Sequence, residues 1–303
     1  MIQSFDHLLE GVIKGPKKTV AVVSADDTDT LLVVAEAEEK GLSNFVLVGD
    51  ESKINSVFKE KQLVLKAKVI NEPDHRLAAE TAVRLVREGQ ADALMKGMLH
   101  SSVFLKAVLN KEKGLNTGKH VTQISVLEKE NGGLLMITDC AISIAPDLKD
   151  KVEILQNAVD LAHSLGIECP RVAVLAPVEV VNPDIQDTVD AAVLSKMAQR
   201  GQIKGCVVDG PLAFDNAISK EAAQAKGIAS EVAGNADIIL VPNLAVGNAL
   251  TKAITYIANK TVIAATVGAA APLVFTSRTE SKQGKLLTIA LAVYSSGKDR
   301  GNA

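Results

Sequence analysis

Short apolar runs alternate with longer segments of helical periodicity along almost the whole chain. Between the apolar runs, stretches such as 28–40, 74–87, 149–165, 188–200 and 280–295 place apolar residues at the spacing of an amphipathic helix. Strands that alternate with helices predict an α/β fold with mainly parallel sheets, because parallel strands need crossover connections. The runs predicted as strands are 19–24, 45–49, 67–70, 93–95, 122–127, 134–138, 171–175, 205–208, 238–241, 262–265 and 273–276.

The composition fits strands that are buried on both faces. Hydrophobic residues make up 47% of the chain, but there is no Trp and only two Tyr and six Phe. The core must therefore be built from aliphatic residues and alanine. With a net charge of −3 and few aromatic rings, the chain has neither the basic field nor the stacking platform that nucleic-acid binding needs.

One pair of predicted strands breaks the alternation near the middle of the chain. Runs 122–127 and 134–138 are joined only by 128–133, which is too short for a crossover helix. This pair is therefore predicted to be an antiparallel hairpin. With 303 residues, two domains are expected, and the interruption places a boundary near Pro146.

The three cysteines favour a reducing compartment. Cys140, Cys169 and Cys206 form no CxxC pair, and their odd number argues against a disulfide framework. We expect them to be small core residues, although Cys140 follows Asp139 at a strand end. The sequence has no signal-peptide pattern and no apolar stretch of membrane-spanning length, so a cytoplasmic location without membrane partners is expected.

Ligands of open parallel sheets bind beyond the carboxyl ends of the strands, and four such ends are unusually polar or glycine-rich. The first carries Lys96 and Gly97, followed by His100, Ser101 and, on the next helix, Lys106. A lysine beside a glycine, together with a serine-capped helix start, could hold an anion. The alternative is a solvated lysine and an ordinary N-cap.

The second and third ends each combine a tight backbone with polar groups. Asp209-Gly210-Pro211 predicts a stiff turn after a strand, and Asp215 or Asn216 could cap the next helix; a structural turn and a ligand loop are equally compatible with this pattern. Asn243 follows the third strand, and Gly247-Asn248 would fall in the first turn of a helix, where glycine is costly. This cost predicts a close approach, either to a ligand or to a packed neighbour.

The fourth end is Thr276-Ser277-Arg278, which opens the last predicted helix. Ser277 offers a hydroxyl, and Arg278 offers a planar fork that suits phosphate. An arginine in a first helical turn opposes the helix dipole, which favours an anion site over a simple Ser N-cap with a surface arginine. These residues predict a small phosphate-bearing substrate in a cleft.

Signatures of several other enzyme classes are absent from the sequence. There is no GxGxxG, no P-loop motif, no HExxH and no GxSxG, and the five histidines lack the spacing of metal ligands. We therefore expect neither a metal site nor dinucleotide or P-loop chemistry.

Taken in order, these strand ends resemble the phosphate acyltransferase family of phosphotransacetylases and phosphotransbutyrylases. The resemblance covers nearly the whole chain from Ala21 onward, and the run 206–212 looks closer to the butyryl branch. The segments that carry it are Leu94-Met95-Lys96-Gly97, Thr138-Asp139, Ala145-Pro146-Asp147-Leu148, Asp209-Gly210-Pro211-Leu212 with Asp215, Ala236-Asp237, Val241-Pro242, Gly247-Asn248, Ala271-Pro272 and Thr276-Ser277-Arg278.

The resemblance implies a fold, a reaction and partners. It implies two α/β domains like those of isocitrate and isopropylmalate dehydrogenases, with the active-site cleft between them. Domain I would comprise 1–143 plus 270–303, and domain II 144–269. The implied reaction is acyl-CoA plus phosphate giving acyl phosphate plus CoA, with a short acyl group such as butyryl or a branched chain. CoA would be a substrate, no cofactor would be bound permanently, and the chain would form a homodimer or higher homo-oligomer.

The same resemblance implies roles for particular residues. Ser277 and Arg278 match the catalytic Ser-Arg pair of the family, and Lys106 stands where acetyl-type members carry an arginine. Arg76 matches a further family arginine. The aspartate base of acetyl-type members has no counterpart in 279–284, so Asp139 and Glu280 are the candidate bases.

Two other functions remain compatible with the sequence. One is a dehydrogenase of the same fold that acts on a phosphorylated hydroxy acid, although such enzymes need clustered metal ligands. The other is a non-catalytic sensor of acyl-CoA or acyl phosphate. Retention of Ser277, Arg278 and Lys106 favours turnover over sensing, because a sensor does not need groups that stabilise a transition state.

Overall fold

The computed structural model describes residues 1–276 and 280–296. In this part of the chain all eleven predicted strands are present, and the ends of most differ from the prediction by only a residue or two. The strands are β1 Thr19–Val23, β2 Asn44–Gly49, β3 Lys68–Asn71, β4 Ala93–Lys96, β5 Thr122–Glu128, β6 Leu134–Thr138, β7 Arg171–Leu175, β8 Val207–Leu212, β9 Ile238–Leu240, β10 Val262–Val267 and β11 Leu273–Val274.

Helices occupy most of the segments between these strands. Aspartates in the N-cap position begin several of them: Asp27, Asp50, Asp74 and Asp147 each accept hydrogen bonds from backbone N–H groups of the first turn. Among the described residues, no helix combines the length and the apolar character needed to cross a membrane. The helices are α1 Phe5–Lys14, α2 Thr28–Glu39, α3 Glu51–Lys61, α4 His75–Arg87, α5 Ser101–Val108, α6 Leu148–Ser164, α7 Gln186–Gln199, α8 Phe214–Ile218, α9 Lys220–Ala225, α10 Leu244–Tyr256 and α11 Lys282–Ser295.

The chain divides into two compact units. The first unit comprises Phe5–Lys119 and the described residues from Ile263 onward. Its strands lie in the order β3-β2-β1-β4-β11-β10, and all neighbouring pairs are parallel except β10 with β11. One side of its core is built from alanines and aliphatic residues of α4 packed against β1 and β4, with Phe104 of α5 fully buried among them.

The second unit comprises Met1–Ser4 and His120–Val262. Its strands lie in the order β5-β6-β9-β7-β8. Strands β5 and β6 form the predicted antiparallel hairpin, and β6, β9, β7 and β8 are parallel. The two units therefore each present the carboxyl ends of parallel strands along one edge of their own sheet.

The boundaries between the two units differ from the predicted domain boundaries. The sequence predicted one domain of 1–143 plus 270–303 and a second of 144–269. The hairpin causes the first difference, because β6 pairs in parallel with β9 and so carries residues 120–143 into the second unit. At the other end the chain changes unit at Ile263, within β10, rather than at the loop that follows it.

Asp237, directly before β9, connects the amino end of β7 to the residue that follows β5 in the second unit. Its carboxylate accepts hydrogen bonds from Nε and Nη2 of Arg171 at 2.9 and 3.1 Å, and from Nζ of Lys129 at 2.7 Å. Burial alone would raise the pKa of Asp237, but the Arg171 and Lys129 hydrogen bonds outweigh it and hold that pKa below its usual range. This part of the family motif therefore stabilises the sheet.

We expect Asp237→Asn to lower the free energy of unfolding by about 2 kcal/mol at pH 7, the scale of hydrogen bonds to a charged group. Because the folded-state pKa of Asp237 lies below the unfolded value of about 3.9, its contribution is complete above that pH and is lost as pH falls through the folded pKa. Urea unfolding at several pH values measures this. The difference between wild type and variant should shrink below about pH 4; a constant difference would contradict the assignment.

The matched control is Asp215→Asn. The pKa of Asp215 is also lowered, first by its hydrogen bond with Lys226, but this carboxylate is exposed. Solvent screens exposed ion pairs, so this variant should unfold like wild type at every pH.

Candidate functional site

The carboxyl end of β4 lies against the end of β1 in the first unit. Gly97 donates its N–H to the carbonyl oxygen of Val23 at 2.8 Å. A Cβ atom at Gly97 would lie 2.5 Å from that oxygen and 2.4 Å from the carbonyl oxygen of Ser24. Glycine is therefore required here by close backbone approach.

The segment that leads to Thr276 lies beside Lys96. Strand β11 pairs in parallel with β4, with Val274 opposite Met95, so Phe275 and Thr276 follow at the level of Lys96 and Gly97. The Lys96 ammonium lies 5.9 Å from the centre of the Phe275 ring, which stacks on Phe104 at 5.8 Å. The structure thus brings together Lys96, Gly97 and Thr276. The predicted pair Ser277 and Arg278 lies outside the described residues.

Helix α5 begins at Ser101, whereas a Ser101 N-cap would require the helix to begin at Ser102. His100 occupies the N-cap position and its side chain makes no capping hydrogen bond, while Ser101 is the first helical residue. The prediction of a serine N-cap is wrong, because the backbone already turns helical at Ser101. Both His100 and Ser101 are exposed.

Lys106 lies in the last turn of α5, where a cation complements the helix dipole. Its side chain is exposed and makes no hydrogen bond or ion pair with any residue in the described part of the chain. The ammonium is therefore accessible to an external anion.

Arg76 and its neighbour His75 begin α4 after the Asp74 N-cap. Arg76 is exposed and pairs with Glu80 at 3.0 Å, one turn along the same helix. The His75 Nδ1 atom lies 2.7 Å from the hydroxyl of Ser24, a buried residue with a positive φ of 50° directly after β1. The sequence analysis did not predict this pair. The mostly polar residues 24–29, which follow β1, could have indicated a further strand end that carries functional side chains.

Glu280 lies just before α11 and contacts the helix. The hydroxyl of Thr288 donates to its Oε1 at 3.1 Å, and the same hydroxyl accepts the Ala264 N–H. A Cβ at Gly284 would lie 3.1 Å from Oε1 of Glu280. Thr288, in the second turn of α11, therefore holds the Glu280 carboxylate against Gly284 in the first turn of the same helix.

Asp139 follows β6 in the second unit and is buried. Its Oδ1 accepts the N–H groups of Ala141 and Ile142 at 2.8 and 3.0 Å. Its Oδ2 accepts the N–H and the hydroxyl of Ser143 at 3.3 and 2.8 Å. Both oxygens are thus occupied by the loop that Asp139 itself begins, so the carboxylate shapes this loop.

A histidine extends the network around Asp139. The Nε2 atom of His120 lies 2.7 Å from the Ser143 hydroxyl, and its Nδ1 lies 3.7 Å from Oδ1 of Asp150. Because the Ser143 hydroxyl donates to Asp139, its oxygen accepts the proton on Nε2 of His120. Sequence reasoning missed both His120 and Ser143, since nothing in their spacing shows that they meet.

The start of α10 packs against the same loop. Asn243 caps the helix by accepting the Val246 N–H at 3.1 Å. A Cβ at Gly247 would lie 2.5 Å from the carbonyl oxygen of Asp139, and Asn248 Nδ2 donates to the carbonyl oxygen of Cys140 at 3.4 Å. The predicted close approach at Gly247 is therefore to a packed neighbour, and it gathers Asn243, Gly247 and Asn248 beside Asp139.

Of the three cysteines, only Cys140 has the full burial expected of a small core residue. Burial raises the pKa of its thiol to about 12, and the nearby Asp139 charge acts in the same direction. Cys169 is exposed and Cys206 is partly buried, so both correct the prediction of core positions.

The segment around Gly210 is a strand, and the prediction of a turn is wrong. Strand β8 continues through Gly210 and Pro211 to Leu212, with a shift of register against β7. Because β8 is the outermost strand of the second unit, proline can be accommodated there. A Cβ at Gly210 would lie 2.8 Å from the carbonyl oxygen of Val174, which explains the glycine by close packing.

Asp215 lies in the first turn of α8, and Ala213 occupies the N-cap position, so neither Asp215 nor Asn216 caps the helix as predicted. Asp215 pairs with Lys226 at 3.1 Å, and Lys226 also pairs with Glu179 at 3.2 Å. This ion network joins the loop after β7 to α8 at the carboxyl edge of the sheet.

Within the described residues, no three His, Cys, Asp or Glu side chains are grouped as metal ligands.

Solved structures with this fold include phosphotransacylases and 4-hydroxythreonine-4-phosphate dehydrogenases. A branched-chain phosphotransacylase from Enterococcus faecalis V583 is 29% identical with a TM-score of 0.83, and the match covers 92% of this chain and 99% of that one. A 4-hydroxythreonine-4-phosphate dehydrogenase from Klebsiella pneumoniae shares the fold alone, with 13% identity, a TM-score of 0.59, and coverage of 92% and 98%. The dehydrogenase-like α/β fold class predicted from the sequence is confirmed.

The sequence comparisons narrow this class to one family. The family model described as phosphate acetyl/butaryl transferase matches residues 74–293, so the chain belongs to this family. A phosphate butyryltransferase from Clostridium acetobutylicum is 46% identical over 98% of this chain and 99% of the relative. A phosphate acetyltransferase from Thermotoga maritima is 39% identical over 95% and 98%. The family resemblance drawn from the strand ends is confirmed.

Proposed function

We propose that this enzyme transfers a short acyl group, butyryl or a branched chain, between CoA and inorganic phosphate. The observation that carries the proposal is the 46% identity to a phosphate butyryltransferase along nearly the full length of both chains. The polar strand ends support it, because this reaction needs cations and hydrogen-bond donors for a phosphate but no group that forms a covalent intermediate.

Phosphate binding is proposed for the first unit. Lys96 and Lys106 supply ammonium groups, Ser101 supplies a backbone N–H group, and Arg278 supplies a planar fork for two phosphate oxygens. Gly97, whose own N–H is bonded to Val23, allows the close backbone approach at this strand end. The contact of Lys96 with Phe275 supports this assignment, since it places a cation beside the segment that continues into Thr276 and Ser277. Arg76 is proposed to leave Glu80 for the phosphate, because an exposed ion pair holds it only weakly.

The chemical step is proposed to be direct transfer in a ternary complex. In the direction of acyl-CoA formation, the CoA thiolate attacks the acyl carbonyl carbon and phosphate leaves with the electrons of the broken C–O bond. Ser277 donates a hydrogen bond to the developing oxyanion, and Arg278 balances the charge of the leaving phosphate.

Glu280 is the proposed acceptor of the thiol proton. The alternative base, Asp139, already accepts two hydrogen bonds on each oxygen from its own loop, which favours a role in shaping that loop. Glu280 lies two residues after Arg278 in the sequence, close to the Ser-Arg pair. The segments around Gly210, Asp215, Asn243 and Asn248 are proposed to contact CoA, since they lie at the carboxyl edge of their sheet.

The setting proposed for this activity is the cytoplasm, with the chain acting as a homodimer or higher homo-oligomer. The absence of paired CxxC motifs in the sequence supports a reducing compartment. CoA, phosphate and the acyl compounds are the proposed small-molecule partners.

The test is Arg278→Ala, assayed by CoA release from butyryl-CoA in the presence of phosphate. We expect kcat/KM to fall by about 10²-fold, the typical effect of removing one preorganised charge or donor from a developing anion. The control is Arg84→Ala, which removes an exposed arginine of α4 that pairs with Glu88 at the end of the same helix. A change within about twofold for Arg278→Ala would refute the proposed role, since it falls far below that effect.

A further inference from the structure

Two cysteine residues lie next to one another at the amino edge of the second unit's sheet. Cys206 directly precedes β8, and Cys169 lies in the bend that precedes the neighbouring strand β7. This edge is opposite the carboxyl edge that carries Asp139, Asn243 and Asp215. The pair is therefore separate from the residues assigned to acyl transfer.

The strand register brings the two backbones close together. Val207 is paired with Arg171, and the Val207 N–H donates to the carbonyl oxygen of Pro170 at 3.1 Å. Extending the register by regular strand spacing, about 4.8 Å between strands and about 3.3 Å per residue, gives a Cα separation of roughly 6 Å for Cys206 and Cys169. Disulfides span Cα separations of about 4.4–6.8 Å. Side chains alternate between the two faces of a sheet only within a regular strand. Cys169 precedes β7, so its side chain can lie on the same face as that of Cys206.

The backbone before Cys206 is held in place. The His163 Nε2 atom lies 2.8 Å from the carbonyl oxygen of Gly205, and Gly205 has a positive φ of 74°. A Cβ at Gly205 would lie 2.6 Å from the His163 ring. The segment therefore presents Cys206 in a fixed position beside β7.

The two sulfurs differ in access and interact with each other. Cys169 is exposed, whereas Cys206 is partly buried. Burial, and to a smaller extent the nearby Cys169 sulfur, raises the pKa of the Cys206 thiol to about 11, so the two sulfurs lie within range of mutual electrostatic repulsion. The third cysteine, Cys140, is buried at the other edge of the sheet.

We propose that Cys169 and Cys206 form a reversible intramolecular disulfide when a low-molecular-weight disulfide is available as the oxidant. The exposed Cys169 thiolate attacks one sulfur of the oxidant, whose S–S bond breaks and releases one thiol. The Cys206 thiolate then attacks the Cys169 sulfur of the mixed disulfide and releases the second thiol. The protein loses two protons and two electrons, and the oxidant gains both as two thiols.

The experiment exposes the full-length protein to oxidised glutathione and maps its cysteines by mass spectrometry after digestion without reductant. We expect a peptide pair joined through Cys169 and Cys206, and a fall from three titratable thiols to one in the unfolded protein. The oxidised form should also unfold at a higher temperature, because the bond closes a long loop of the unfolded chain. A reductant should reverse all three changes.

Two variants make the outcome specific to this pair. In Cys206→Ser, Cys169 should stay trapped as a mixed disulfide with glutathione, because the thiol that displaces glutathione is gone. In Cys169→Ser, Cys206 should remain reduced over the time in which the wild type is oxidised. Retention of glutathione on Cys169 in the wild type, or a Cys169–Cys169 link between two chains, would overturn the proposal.

Discussion

Replacing Lys151 by alanine is expected to lower the free energy of unfolding by about 3–5 kcal/mol, the typical cost of leaving one member of a buried ion pair without its partner. Lys151 lies on α6 with its side chain only 5% exposed, and its Nζ lies 2.6 Å from Oδ2 of Asp190 on α7 and 3.7 Å from Asp187. Removal of the ammonium leaves the Asp190 carboxylate, 12% exposed, with the Gln186 amide at 2.8 Å as its one side-chain donor among the described residues. Urea unfolding measures the loss as a shift of the midpoint.

Two further variants separate charge from packing. Lys149→Ala removes an exposed lysine from the same helix and should unfold like wild type. The double variant Lys151→Met with Asp190→Leu removes both charges and should be much closer to wild type than Lys151→Ala, because apolar residues of similar volume can replace a buried ion pair. A loss below about 1 kcal/mol for Lys151→Ala would show that the pair is effectively solvated.

The strands and helices were predictable because their periodicities are local. The run 122–138 predicts its hairpin from a connection too short for a helix, and β5 and β6 are indeed antiparallel. The same locality explains the error at β8. Gly210 and Pro211 have turn propensity, but the position of β8 at the edge of its sheet, which no local pattern reveals, allows the strand to continue through them.

From the sequence, only those residues of the candidate site that follow the carboxyl ends of strands could be predicted. Lys96, Gly97 and Thr276 meet because their strands are neighbours, and Asn243 and Gly247 lie beside Asp139 for the same reason. The contacts of His75 with Ser24 and of His120 with Ser143 join residues from different elements, so no spacing in the sequence shows them. The division of the chain into units also depended on such a contact, the pairing of β6 with β9.

The Gly97→Ala substitution is expected to lower kcat/KM for butyryl-CoA and phosphate by about 10²-fold or more, the scale of a misplacement of about 1 Å in a catalytic group. The added methyl group would lie 2.4 Å from the carbonyl oxygen of Ser24 and 2.5 Å from that of Val23. Both contacts are with backbone, which cannot move aside as a flexible side chain would. The end of β4 must therefore shift, and Lys96 and the Phe275 ring against it must shift as well.

The matched control is Gly49→Ala, at the carboxyl end of the neighbouring strand β2. A Cβ at Gly49 would lie no nearer to any atom than 3.1 Å, from the backbone nitrogen of Ala25, so a shift of a few tenths of an ångström relieves the contact, far less than Gly97→Ala requires. Both variants add the same methyl group to the same edge of the first unit's sheet, but only Gly97→Ala displaces the lysine proposed to bind phosphate. If Gly97→Ala kept kcat/KM within about threefold of Gly49→Ala, the position of Lys96 would not matter for the reaction, and the phosphate site would have to be built from Lys106 and Arg278 without it.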